Sequence, residues 1–121
     1  MSIPRLFLSF KYALRGLRQA LQTEQNFRVQ ILISLVAIVL AIYFSLPTGQ
    51  IIVVTLLIGW VLTMELINTA LEYISDLLKP RLHHHVYIIK DIMAAAVLIS
   101  SVASGAIGLI IFLPYFLNLL K

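Results

Sequence analysis

Hydrophobic and polar positions divide the chain into four blocks with two kinds of pattern. Near the N-terminus, Phe7, Phe10, Leu14, Leu17 and Leu21 recur at alternating spacings of three and four, interleaved with Arg5, Lys11, Arg15, Arg18, Gln19 and Gln22. This periodicity predicts an amphipathic helix over about 4–24, with Ser2 as its N-cap and Pro4 in its first turn. Its cationic polar face suits a helix lying in a membrane surface among anionic headgroups. The other three blocks are continuously apolar. The first covers about 29–46, with Ser34 its only polar member of note, and the others cover about 51–72 and 92–113. At about 1.5 Å per residue, each comes close to or exceeds the length that crosses the hydrocarbon of a bilayer.

The connections differ in charge. Pro47, Thr48, Gly49 and Gln50 predict an uncharged turn that makes the first two spans a tight hairpin. The second helix meets no breaker until Pro80, so it is expected to project from the bilayer beyond Glu72. Lys79, Pro80, Arg81, His83, His84 and His85 then form a polar connection, and Asp91, taken alone, reads as the N-cap of the third span. Within that span Ala96, Ser100, Ser104 and Gly108 recur every four residues, a small-residue stripe that favours close helix packing. Pro114 is expected to end or kink the helix, with Tyr115 and Lys121 at the interface.

The Lys and Arg distribution orients these elements. Five fall in the N-terminal segment, none in the hairpin turn, three between Lys79 and Lys90, and one at the C-terminus. The positive-inside rule places the N-terminus and the second connection in the cytoplasm, and the C-terminus outside. A composition 61% hydrophobic and only 12% charged excludes an ordinary soluble domain. The net charge of +4 is spread thinly, without the basic, aromatic-interleaved surface of a nucleic-acid binder. There is no cysteine, so neither disulfides nor thiolate metal sites can form. A charged amphipathic segment precedes the first apolar run, which is not the arrangement of a cleaved secretory signal. These features predict an all-α membrane protein with one surface helix and three spans, a single domain over residues 1–121. Three thin helices enclose little volume, which favours a homo-oligomer with sites between subunits.

The acids carry the chemistry. There are five, Glu24, Glu65, Glu72, Asp76 and Asp91. Glu65, Asn68, Glu72 and Asp76 are spaced three, four and four apart, within a sector of about 80° on one side of the second helix. An ionisable residue in a membrane span is a functional-site candidate by default. The topology brings Glu24, Lys90 and Asp91 to the same depth as this edge. Converging carboxylates beside a lysine suit a hard divalent cation and a polyphosphate, and a further carboxylate could take the proton of an attacking hydroxyl. At the headgroup boundary such a base can meet a lipid alcohol while a nucleotide arrives from water. Simpler roles exist for single residues: Asp76 as a solvated helix residue, Asn68 as an interhelical bond, Glu24 as a solvated helix end. A non-enzymatic oligomer, such as a small cation channel lined by Glu65 and Glu72, is the alternative from another class, although it has no need of Lys90 at its mouth. Consecutive histidines point in different directions and do not make a zinc site. Neither a G-x-x-x-x-G-K-[ST] run nor a kinase Gly-rich loop is present.

ELINTALE over Glu65–Glu72, followed by Asp76 and by KDIMAAAVL over Lys90–Leu98, resembles the bacterial membrane diacylglycerol kinase and undecaprenol kinase family. The resemblance extends to Gly16, Leu17 and Arg18, and to Glu24 with Phe27 and Arg28. It implies a homotrimer in the bacterial plasma (inner) membrane that transfers the γ-phosphate of ATP to a lipid alcohol. By that resemblance Glu65 is the general base, Asn68 a positioning residue, and Glu24 and Glu72 the Mg²⁺ carboxylates. Lys90 contacts the phosphates, and Asp76, Asp91 and Tyr12 lie on the nucleotide side. The TEQNF run over Thr23–Phe27, the pair His83 and His84, and GLIIFLP over Gly108–Pro114 are more similar to the undecaprenol kinases. Ala94 stands where diacylglycerol kinases carry a serine, and His85 and Val86 occupy a region where the family commonly has a proline.

Overall fold

The computed structural model describes residues 2–121 and contains four helices: α1 (Ile3–Thr23), α2 (Gln25–Tyr43), α3 (Thr48–Leu78) and α4 (His83–Leu119). The last three are long and apolar enough to cross a membrane. With 31 residues, α3 is about 46 Å long, well beyond the roughly 30 Å of hydrocarbon, so part of it must stand outside.

α1 begins as its sequence predicts. Ser2 is the N-cap, its hydroxyl accepts the Arg5 N–H at 3.4 Å, and Pro4 sits in the first turn. The apolar face is left uncovered, with Phe7 73% exposed, whereas Ala20 and Phe27 are buried where α1 meets α2. Glu24 is the corner between the two helices, with extended backbone at φ −110° and ψ 109°. Two contacts fasten this corner. Arg28 Nη1 donates to the carbonyls of Leu21 at 2.9 Å and Gln22 at 3.2 Å, which satisfies orphan acceptors in the last turn of α1. Gln19 Nε2 donates to the Tyr73 hydroxyl at 3.1 Å and ties α1 to α3.

The α2–α3 hairpin turns earlier than its proline and glycine suggest. The Leu46 N–H bonds the Ala41 carbonyl and the Ser45 N–H the Ile42 carbonyl, both at 3.1 Å, with Ser45 left-handed at φ 51°. This is a Schellman C-cap. Pro47 is only the N-cap of α3, so Thr48, Gly49 and Gln50 belong to its first turn instead of to the loop. Leu46 returns into an apolar core with Val54 and Ile111, around which Ala37, Phe44, Phe112 and Tyr115 pack.

α3 and α4 form the principal packed pair, and their connection is shorter than the polar stretch implies. Residues 79–82 alone are non-helical. The three histidines form the first turn of α4, where His83 stacks edge-on against Tyr87 with ring centroids 4.6 Å apart. Asp91 is therefore not an N-cap. It lies more than two turns inside α4, because the helix begins at the histidines instead of at the apolar run. Pro114 does not end α4 either, and the helix continues to Leu119. Beyond the proline, the Tyr115 hydroxyl donates to Gln50 Oε1 at 2.8 Å and Phe116 meets Phe44 edge-on, so tertiary contacts hold the last turns.

Ser45 supplies a prediction. β-branched residues are strongly disfavoured at positive φ, so Ser45→Val should lower stability by about 1–2 kcal/mol, whereas Ser45→Gly should be neutral or mildly stabilising. Thermal unfolding in detergent micelles checks both, and an unaltered midpoint for Ser45→Val would contradict the left-handed cap.

Candidate active site

The buried face of α3 runs through Val54, Val61, Glu65 and Thr69. Glu65 thus lies on the line of residues that packs the helix and is 3% exposed. Its backbone carbonyl accepts the Thr69 hydroxyl at 3.0 Å, which keeps that hydroxyl away from the carboxylate. Asn68 and Glu72 flank it on the same side of the helix, and Asn68 Nδ2 donates to Glu72 Oε1 at 3.4 Å.

These three residues line a cavity of about 400 Å³ between α2, α3 and α4. α2 contributes Asn26, Val29 and Gln30, and α4 contributes Ala94, Val97, Leu98 and Ser101. No basic side chain lines it. Glu65 experiences the negative charges of both Glu24 and Glu72. Glu24, half-buried at the α1–α2 corner, thus acts on the cavity without lining it.

One turn further along α3, the charges are paired. Lys90 Nζ donates to Asp76 Oδ1 at 2.9 Å, and Lys79 Nζ approaches the same oxygen at 3.7 Å. α3 and α4 are antiparallel neighbours, so the α4 residues Ala94, Val97, Leu98 and Ser101 line the cavity with Glu65, Asn68 and Glu72, and Lys90, earlier on α4, meets Asp76, later on α3. The expected convergence of all acids on one depth is therefore partial. Glu65, Asn68 and Glu72 share a cavity, Asp76 and Lys90 form a separate exposed pair, and Asp91 is exposed on α4. Tyr12 is exposed on α1, with the Arg15 guanidinium over its ring at 5.5 Å.

The donors are hard oxygens, but among the described residues no group of three or more His, Asp or Glu side chains is close enough to hold a metal ion. A Mg²⁺ ion needs less, since it is usually held by one or two carboxylates together with phosphate oxygens and water. Glu72 lines a cavity without a basic side chain, and Glu24 is near enough to act on Glu65 electrostatically, so these two can supply the one or two carboxylates such a cation needs.

Gln30 and Ser101 are residues that the sequence pattern left unremarked. Gln30 Nε2 donates to Ser101 Oγ at 3.4 Å and spans α2 and α4 at the rim of the cavity. An amide one turn before Ser34 in an apolar span was a usable signal, whereas Ser101 lies one residue off the small-residue stripe and carried none.

A three-span helical membrane protein with a buried carboxylate beside a half-buried one, next to an exposed Lys–Asp pair, has the makings of a phosphotransferase acting at a membrane surface. A sequence profile of the family described as "Prokaryotic diacylglycerol kinase" matches residues 11–112. The chain is 36% identical to the undecaprenol kinase of Bacillus subtilis (strain 168) over 110 residues, 91% of this chain and 89% of the relative. It is 35% identical to the diacylglycerol kinase of Synechocystis sp. (strain ATCC 27184 / PCC 6803 / Kazusa) over 118 residues, 97% of this chain and 67% of the relative. The protein belongs to the prokaryotic diacylglycerol kinase family, and is a membrane lipid kinase that uses ATP. Membership sets aside the non-enzymatic channel reading.

Glu65 should be held in place at the expense of stability. Replacing it by Gln removes a buried charge beside two other carboxylates, so Glu65→Gln should stabilise the fold by on the order of 1 kcal/mol. The thermal midpoint in micelles without nucleotide measures this, and a marked decrease would mean that the carboxylate is structurally required.

Proposed function

We propose that the protein phosphorylates undecaprenol, with Glu65 as the general base. The carrying observation is the burial of Glu65 at a cavity whose walls combine the polar Asn26, Gln30, Asn68 and Glu72 with the apolar Val29, Val97 and Leu98. The lipid hydroxyl enters this cavity from the membrane and donates its proton to a Glu65 carboxylate oxygen as its own oxygen attacks the γ-phosphorus. The bond from that phosphorus to the β–γ bridging oxygen breaks, and the products are the lipid phosphate and ADP. Asn68, bonded to Glu72, orients the carboxylates. Glu72 and Glu24 would hold Mg²⁺, whose chemistry when bound is to neutralise phosphate charge. Lys90 contacts the phosphates once released from Asp76, with Asp76, Asp91 and Tyr12 on the nucleotide side.

Undecaprenol is supported by the TEQNF run, the His83–His84 pair and the GLIIFLP ending. Ala94 adds to this, since it gives the cavity wall a methyl group where a hydroxyl would serve a glycerol backbone. The nearly equal identities to an undecaprenol kinase and a diacylglycerol kinase make the choice one for direct assay. The working form is a single-domain homotrimer, a reading supported by the large apolar surface that one chain leaves uncovered. It resides in the bacterial plasma membrane with the N-terminus cytoplasmic and the C-terminus outside, as the Lys and Arg distribution indicates.

In mixed micelles, undecaprenol should be phosphorylated with a higher kcat/KM than diacylglycerol, and the reverse order would overturn the substrate assignment. Glu65→Gln should lower kcat by about 10²–10⁴-fold. Retention of full activity would remove Glu65 from the mechanism. Chelation of divalent cations should abolish transfer, and Glu72→Gln should raise the Mg²⁺ concentration required for half-maximal rate by about tenfold.

A further inference from the structure

A second space adjoins the candidate site. It is a groove of about 460 Å³ between α2, α3 and α4, and it shares Gln30 and Ser101 with the carboxylate cavity. Beyond that pair its lining is almost wholly apolar, running along α2 to Leu40 and along α4 to Phe116. Ten residues of α2 correspond to about 15 Å of helix, so the space is elongated along the bilayer normal. Its edges, Ile33, Val36 and Leu109, are exposed, so it opens sideways. Its α4 floor consists of Ser101, Ser104, Gly105 and Gly108. A Cβ added at Gly105 or Gly108 would meet nothing within 4 Å, so these glycines are not required for close packing within the chain.

We propose that this groove holds the first part of a single long isoprenoid chain, with its hydroxyl in the cavity at Glu65. The inference rests on the lipid-alcohol reading above and adds what selects among lipid alcohols. Continuity with the cavity identifies the occupant, because a hydroxyl at Glu65 has its chain carried past Gln30 and Ser101 into the groove. A second apolar recess, around Ile38, Ile42 and Thr55, does not touch the carboxylate cavity. The groove that shares Gln30 and Ser101 with the cavity is a single elongated space, which suits an alcohol with one chain better than a glycerol carrying two. The volume lies within the usual range of ligand pockets, about 300–1,000 Å³. Gln30 and Ser101 form the boundary between the polar and apolar compartments, and their 3.4 Å bond is weak enough to yield to a passing chain.

The test compares a graded series of prenols, from short to undecaprenol, as substrates of the full-length protein in mixed micelles. In the unaltered protein, KM should fall as the chain lengthens. Gly108→Leu fills the groove from a position with open space around it. It should raise KM for undecaprenol by about tenfold, leave the shortest prenol within about twofold, and flatten the chain-length dependence. Gly105→Val should do the same. Undiminished chain-length dependence in both filled variants would overturn the groove assignment while leaving the kinase reading intact. Loss of chemically cross-linked oligomer in those variants, with parallel loss for all prenols, would also overturn it and assign the groove to a second copy of the chain. Failure of the unaltered protein to phosphorylate any prenol, with diacylglycerol accepted, would overturn both the undecaprenol reading and the groove occupant.

Discussion

Burying Glu65 on the packing face of α3 is the constraint on which the rest of the arrangement depends. A carboxylate in a weakly polarisable interior must be compensated, and the chain provides no cationic side chain within the cavity. Glu72 and Glu24 instead add to the negative potential. Such a cavity is poorly suited to stability and well suited to receiving a proton or a cation. The packed pair α3–α4 tolerates it because the energy of holding the helices together is supplied elsewhere. Leu46, Val54 and Ile111 form the apolar core at one end, and buried Ser75 and Val86 occupy the segments next to the α3–α4 connection.

The amphipathic helix is part of the same solution. It would be a plain anchor if it were joined to α2 by a flexible link, but Arg28 caps its final carbonyls and Gln19 ties it to Tyr73. Both contacts lie within a few residues of Glu24, and Tyr73 directly follows Glu72. The corner is thereby fixed in register with the polar edge of α3, which is why a residue 41 positions earlier in the chain than Glu65 acts on it electrostatically. Removal of the Arg28 bonds would free the corner without touching any carboxylate.

The sequence made the helices and the polar edge of α3 legible because both are periodic. α1 announced itself through the alternating spacings from Phe7 to Leu21, and Glu65, Asn68 and Glu72 through their common side of one helix. Features decided by competition between local signals were less legible. Pro47 and Gly49 are strong turn signals, yet the turn formed upstream, where Ser45 accepts positive φ and Leu46 gains burial. Asp91 is a good N-cap residue, yet His83 to Val86 continue the helix because Val86 is fully buried and Tyr87 stacks on His83. Contacts between helices had no local signal. Periodicity gave the side of α3 on which Asp76 lies, but that Lys90 meets Asp76 and not the cavity follows only from the antiparallel register of α3 and α4.

That register also orders the chemistry by depth. Proceeding along α3 from its start, the neighbouring space is first apolar groove, then carboxylate cavity, then exposed ion pair. One helix thus passes an apolar groove, a carboxylate cavity and an exposed ion pair in about 30 Å between Val54 and Asp76. In the proposed mechanism a lipid alcohol and ATP approach from opposite ends of this sequence, and neither has to leave its own phase to reach the middle. A shorter α3, ending at the bilayer boundary, would lack the Asp76 turn and leave Lys90 without its partner. The length of the helix, at first sight excessive for a membrane span, is what allows a single element to serve both phases.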